Sequence, residues 1–248
     1  MSALPVIRPD WAAPAHVHAF CTTRQGGVSL PPYASLNLGA HVGDDPAAVA
    51  ANRARLRALL PAEPGWLNQV HGVNVVDAAV AAQAATPLDA DACVTRQAGV
   101  VCAVMTADCL PVLFTDRAGS VAAAAHAGWR GLLAGVLEAT LAAMACPPAE
   151  TLAWLGPAIS RDAFEVGAEV RAAFIAHSPQ AAQAFSPLPD GKWLADLPQL
   201  ARQRLQAAGV PLAQCSDSEL CTVIERDQFF SYRRDACTGR MASVIWLD

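Results

Sequence analysis

Residues 109–126, Cys109-Leu-Pro-Val-Leu-Phe-Thr-Asp-Arg-Ala-Gly-Ser-Val-Ala-Ala-Ala-Ala-His126, decide how the chain is read. Two apolar runs, 110–115 and 120–125, flank Asp116-Arg117-Ala118-Gly119. Asp and Gly are turn formers and the runs have strand length, so the stretch is predicted to be a β-hairpin. A turn centred between Arg117 and Ala118 sets Leu110 opposite Ala125 and Cys109 opposite His126. Directly opposed residues carry Cβ atoms roughly 4.5–5.5 Å apart. Zinc sits about 2.3 Å from a thiolate and about 2.0 Å from an imidazole nitrogen, so one ion can join the pair without distorting a regular hairpin. A lone thiol is usually a small buried hydrophobe; it is the opposition that makes Cys109 and His126 a candidate site.

Further strands are expected at 16–23, 100–105, 151–155 and 243–247. Asp44-Asp45-Pro46 starts a helix reaching about Leu60, with Asp as N-cap and Pro in the first turn. Apolar residues at 129, 132, 133, 136, 137, 141 and 144 predict a helix over 129–144. Others are expected at about 162–176 and 197–208. Strands and helices interleave without a clean boundary, which predicts one α/β domain over 1–248 with mixed sheets. Asp108 and Gly128 interrupt the apolar runs, so both candidate ligands should lie at a strand mouth. The helix starting at Trp129 would turn its free N–H groups towards an anion there. Arg130 in its first turn adds a guanidinium fork.

Among 248 residues 54% are hydrophobic and 16% charged, the balance of a folded chain with a sizeable core. No stretch reaches the roughly 18 uninterrupted apolar residues of a membrane span, and the N-terminus reads as lacking a signal peptide, so a cytoplasmic protein is expected. A net charge of −5 with no basic face argues against nucleic acid. The eight cysteines form no C-x-x-C pair and are expected to be mostly reduced and buried. Of the six histidines, His16 and His18 alternate on a strand, His41 lies in a loop and His177 ends a helix. His71 sits in a polar break, Asn68-Gln-Val-His-Gly72, and spacing alone does not tie it to the other two.

That break, together with Thr106-Ala-Asp-Cys-Leu-Pro111 and Ala125-His-Ala-Gly-Trp-Arg-Gly131, resembles the YfiH family. Its members have been called laccase-domain proteins or multicopper polyphenol oxidases and, more recently, purine nucleoside phosphorylases. Matching strings run from Thr23-Arg-Gln-Gly-Gly-Val-Ser29 to Thr238-Gly-Arg-Met241, nearly the whole chain. The resemblance implies a four-layer α/β/β/α sandwich. It also brings His71 to Cys109 and His126 as metal ligands and catalytic residues, with zinc as the ion and copper as the alternative. The implied activity is phosphorolysis of adenosine, inosine and 5′-methylthioadenosine, with purine nucleoside and phosphate as partners. Adenosine deamination accompanies it, in a monomer or weak homodimer. Some bacterial relatives are linked to peptidoglycan editing.

Three protein ligands leave a fourth position for a reactant. Phosphorolysis further needs an anion near the sugar C1′. Arg130 and Arg53 are candidates to hold it, Asn37 to hold ribose or base, and Asp108 to orient a ligand or carry a proton. Three other readings compete. One is a hydrolase with Cys109 as nucleophile and His126 as base. Another is a phenol-oxidising copper enzyme, for which six histidines are few. The third is a non-catalytic module shaped by zinc.

Overall fold

The hairpin forms, in a register two residues from the expected one. The structure is a computed structural model describing residues 4–248. In it Leu110 faces Ala127 and Pro111 faces His126. The tight turn itself is where expected, with the Gly119 N–H donating to the Asp116 carbonyl at 2.9 Å. Two residues are then added on the return side. Gly119 takes φ +66°, and the Asp116 carboxylate accepts the N–H and the hydroxyl of Ser120, each at 2.6 Å. A four-residue loop replaces a two-residue one. Continuing that register sets Cys109 opposite Gly128, not His126.

The chain begins β1 (Val6–Ile7), β2 (Val17–Thr22), α1 (Pro46–Arg57), β3 (Val75–Asp77), α2 (Ala78–Gln83), β4 (Ala92–Thr95) and β5 (Cys102–Thr106). The hairpin strands are β6 (Leu110–Asp116) and β7 (Ala122–Ala127), followed by α3 (Trp129–Ala134), α4 (Val136–Met144) and β8 (Thr151–Leu155). Then come β9 (Glu165–Val166), α5 (Ala168–His177), β10 (Phe185–Pro187), β11 (Trp193–Ala195) and α6 (Leu197–Ala207). The last elements are β12 (Cys215–Asp217), α7 (Tyr232–Asp235) and β13 (Met241–Leu247). One sheet has the order β1-β2-β13-β5, the larger β12-β8-β6-β7-β4-β3, and a small third β10-β11-β9.

Alternation along the strands sorts their side chains into three separate apolar clusters. Val112 and Phe114 of β6 and Ala123 and Ala125 of β7 pack with Val136 and Leu137 of α4, Phe174 of α5 and Leu200 of α6. Leu113, Ala122, Ala124 and Trp154 turn the other way, onto Cys21, Cys102, Val104 and Ile245 of the smaller sheet. That sheet's far face, with Phe20, Ala103 and Val244, packs on Leu56 of α1. Three filled gaps separate four layers, helix on sheet on sheet on helix. Trp154 is 1% exposed between the sheets, where removing such a side chain costs about 3–5 kcal/mol.

Three expectations are corrected. The 129–144 helix is two helices, broken at Gly135 with φ +107°. The 162–176 helix starts only at Ala168, because Glu165–Val166 pair with Trp193 and Leu194, a contact no local spacing reveals. Residues 92–95, not expected as a strand, form β4, paired with β7. Among the described residues no helix is long and apolar enough to cross a membrane.

Candidate metal centre

His126 near the end of β7, Cys109 just before β6 and Asp91 just before β4 lie at one end of the large sheet. One donor atom each from His71, Cys109 and His126 lie within 4.8 Å of one another, the single such cluster among the described residues. Cys109 Sγ is 3.8 Å from His71 Nε2, and the two imidazole centroids are 4.8 Å apart at 74°. Ligands of one tetrahedral zinc lie roughly 3.3–3.8 Å apart, so two imidazoles and a thiol at this spacing fit such an ion after a small contraction. The meeting does not come from direct cross-strand opposition. A Cβ on Gly128 would lie 2.9 Å from Cys109 Sγ and 2.8 Å from His71 Cδ2. Glycine there is what lets thiol and imidazole approach His126.

One buried carboxylate, not foreseen from the sequence, organises the two histidines. The Asp91 side chain accepts from His126 Nδ1 at 2.8 Å. It also accepts the N–H groups of Val70, His71 and Gly72 at 3.2, 2.9 and 2.6 Å. His126 therefore turns Nε2 towards the cluster, the usual arrangement for a metal-binding histidine. His71 itself sits at φ +59°, a conformation that costs an L-residue of order 1–3 kcal/mol; the three N–H bonds to Asp91 offset it. Gln69 docks the same loop, its side chain accepting the Met105 N–H and donating to the Met105 carbonyl as a strand neighbour would.

Charges within the cluster are coupled. Burial pushes the Cys109 thiol up, but His126 and His71 more than offset this and bring its pKa down to about 6. Burial works against the His126 cation, yet Cys109 and Asp91 push its pKa up to about 9. Burial likewise raises the Asp91 carboxyl, and His126 with the N–H groups of Gly72 and His71 holds it below the ordinary value. Both shifts favour a thiolate beside an imidazolium when no metal is bound.

The cluster forms one wall of a cavity of about 480 Å³, within the range of small-molecule sites. Arg130 lines it, beside apolar Trp129, Ile159, Phe164 and Leu197. His41, Tyr232, Arg233 and Arg240 line it too. The Arg130 and Arg233 guanidiniums lie over the rings of Trp129 and Phe164. Burial, then Arg240 and Arg53, hold His41 below its ordinary pKa.

Of the other expected residues Asn37 and Arg53 lie outside the cavity lining, and Asp108 lies within it. Asn37 is fully buried, and its amide is spent on Gly39, Asp44 and the Arg240 N–H. Arg53 donates to the Leu38 carbonyl at 2.9 Å and stacks 4.2 Å over Trp66, outside the cavity lining. The Asp108 carboxylate, expected beside a ligand, accepts from Thr222 and Arg233 instead. Helix α3, expected to lend a long dipole, has six residues. The sequence did carry a signal for Asp91: an acid directly ahead of Ala-Cys-Val-Thr95, a run that is itself apolar and buried.

Residues 18–248 match the family described as multi-copper polyphenol oxidoreductase laccase. The chain belongs to that family. Among its relatives, purine nucleoside phosphorylase YfiH of Escherichia coli (strain K12) is 57% identical, over 98% of each chain. A Pseudomonas aeruginosa protein, also named a purine nucleoside phosphorylase, is 54% identical over 97% of this chain and 98% of that one. Two crystal structures superpose closely. Neisseria meningitidis NMB0706 has a TM-score of 0.93 at 55% identity, covering all of both chains. YlmD from Geobacillus stearothermophilus has a TM-score of 0.85 at 33% identity, over 98% of this chain and 99% of that one.

Proposed function

We propose that this laccase-family chain is a zinc-dependent purine nucleoside phosphorylase acting on adenosine, inosine and 5′-methylthioadenosine, with adenosine deamination as a second activity. The observation that carries the reading is a cluster of two imidazoles and a thiol lining one cavity together with three arginines. The names of the relatives support the same reaction. The lining runs from His41 to Arg240, so nearly the whole chain serves as one catalytic unit.

The purine has a planar apolar bed in Trp129, Phe164 and Tyr232. Phosphate is drawn to Arg130, Arg233 and Arg240, which can offer forked N–H donors to its oxygens. A phosphate oxygen bonds to C1′ as the N-glycosidic bond breaks; the electron pair leaves with the base, which takes up a proton. His71, Cys109 and His126 would hold the ion, which when bound supplies Lewis acidity and acidifies water, the chemistry deamination needs.

Purified protein incubated with adenosine tests this. Adenine formed only with phosphate, and inosine formed without it, are expected, both lost on chelation; neither product in either condition would reject the reading. The Cys109 thiol, lowered to about 6 beside His126, favours a second reading as an amide-cleaving cysteine hydrolase, including a muropeptide editor. Such activity would survive chelation.

A further inference from the structure

Asp108 lines the cavity directly ahead of Cys109. It is 8% exposed and takes φ +86°, the left-handed region that L-residues seldom enter. Three of its atoms reach three separate segments. Its carbonyl accepts the Ile159 N–H at 2.9 Å. Oδ1 accepts the Thr222 hydroxyl at 2.6 Å, and Oδ2 accepts the Arg233 N–H at 2.6 Å. Neither carboxylate oxygen bonds to His71, Cys109 or His126.

The Arg233 N–H belongs to the first turn of α7, whose leading amides have no partner within the helix. Ser231 takes the Arg234 N–H, and Asp108, more than a hundred residues away in sequence, takes that of Arg233. Helix α7 carries Tyr232 and Arg233 into the cavity, and its four residues are too few to hold a position unaided. The next residue after Asp108 is Cys109. A single side chain thus ties the thiol's segment to the opposite wall.

We propose that Asp108 is a positioning residue that fixes the Tyr232–Arg233 wall at a set distance from Cys109, so that nucleoside and phosphate bind in register with the cluster. This rests on the phosphorylase reading for its substrates, not for its geometry. Hydrogen bonds to a charged acceptor are worth enough that losing one should weaken binding roughly 10-fold or more.

The test uses the full-length Asp108→Asn and Thr222→Val variants. Asn cannot accept both donors with its two terminal atoms; Val removes one donor and leaves the carboxylate. Expected for Asp108→Asn are a KM for nucleoside and phosphate raised about 10-fold, an unchanged pH profile of kcat, and unchanged metal stoichiometry. Faster amide hydrogen exchange at residues 232–235 should accompany this. Thr222→Val should show a weaker form of the same pattern. Loss of kcat with loss of one limb of its pH profile in Asp108→Asn alone would overturn the proposal in favour of a proton carrier. Loss of metal would overturn it in favour of a ligand-orienting role. If Asp108→Asn does not fold, unchanged exchange and unchanged inorganic phosphate binding by calorimetry in Thr222→Val would overturn it. These last two readouts need no turnover, so a wild-type protein inactive on nucleosides would sink the phosphorylase reading while leaving this one decidable.

Discussion

On one side of the cavity, Asp91 gathers four N–H donors and seats two histidines at one end of a six-stranded sheet. On the other, Asp108 accepts the backbone N–H of Arg233, and Asn37 those of Gly39 and Arg240, and so they hold loop and short-helix residues. Asp91 and His126 are 0% and 3% exposed, whereas Tyr232 is 61% exposed. The first side is preorganised by many mutually supporting bonds, as a site for a small ion must be. The second is held by scattered bonds from loop and short-helix residues, Arg233 to the Glu165 carbonyl and Arg240 to those of Thr238 and Gly239, with Tyr232 exposed above them, which suits a larger ligand that closes contacts as it binds. Damage to the first side should change metal affinity, and damage to the second should change ligand affinity.

The sharpest way to break this contrast is Asp91→Asn. The amide cannot accept all four donors, and it can present an N–H to His126 Nδ1. Loss of a carboxylate behind a metal-bound histidine typically weakens binding 10–100-fold, so a loss of that size is expected in competition with a chromophoric chelator. The apo protein should also lose about 1–3 kcal/mol of stability, from buried N–H groups left unpaired. Retained metal affinity would mean that the sheet alone sets the ligands.

A second test uses protons. Metal binding requires the Cys109 thiolate and a neutral His126. With Cys109 lowered to about 6 and His126 raised to about 9, the free pair carries one proton between those values. Binding expels it, so metal affinity should rise about tenfold per pH unit across that window and more steeply below it. Calorimetry in buffers of different ionisation enthalpy counts the released proton. Proton release near zero at pH 7 would show that the thiolate–imidazolium pair does not form.

These two sides also differ in how far the sequence disclosed them. Alternating apolar strands and turn residues located β2, β6, β7, β8 and β13, because burial on a sheet leaves a local pattern. Direct opposition in a regular hairpin points to Cys109 and His126, but the real register differs: Gly119 and the Asp116–Ser120 bonds lengthen the loop, and the two residues come together through the room at Gly128. His71 came from resemblance alone, since its tie to the others runs through Asp91. His41 and Arg240 were not picked as site residues, because loops far apart in sequence carry no period that marks where they converge. Asn37 and Arg53 lie in family-like strings, but their bonds shape the scaffold.

Arg53 gives the smallest expected effect and the finest check on the contrast. Its charge, read from sequence, suggested phosphate binding; its geometry assigns it to the layer of α1, bonded to Leu38 and stacked on Trp66. Arg53→Lys keeps the charge but loses the planar stack and the directed N–H. A stability loss of about 1 kcal/mol is expected in chemical denaturation. The phosphate KM should move less than about twofold, as for a residue outside the site. Arg53→Met removes the cation as well. Arg53 is the least of the three causes that hold His41 down, after burial and Arg240, so the His41 titration followed by NMR should rise only slightly. If instead Arg53→Met raised the phosphate KM as much as Asp108→Asn, the anion-binding face would extend to α1, and the division between the two sides would not hold.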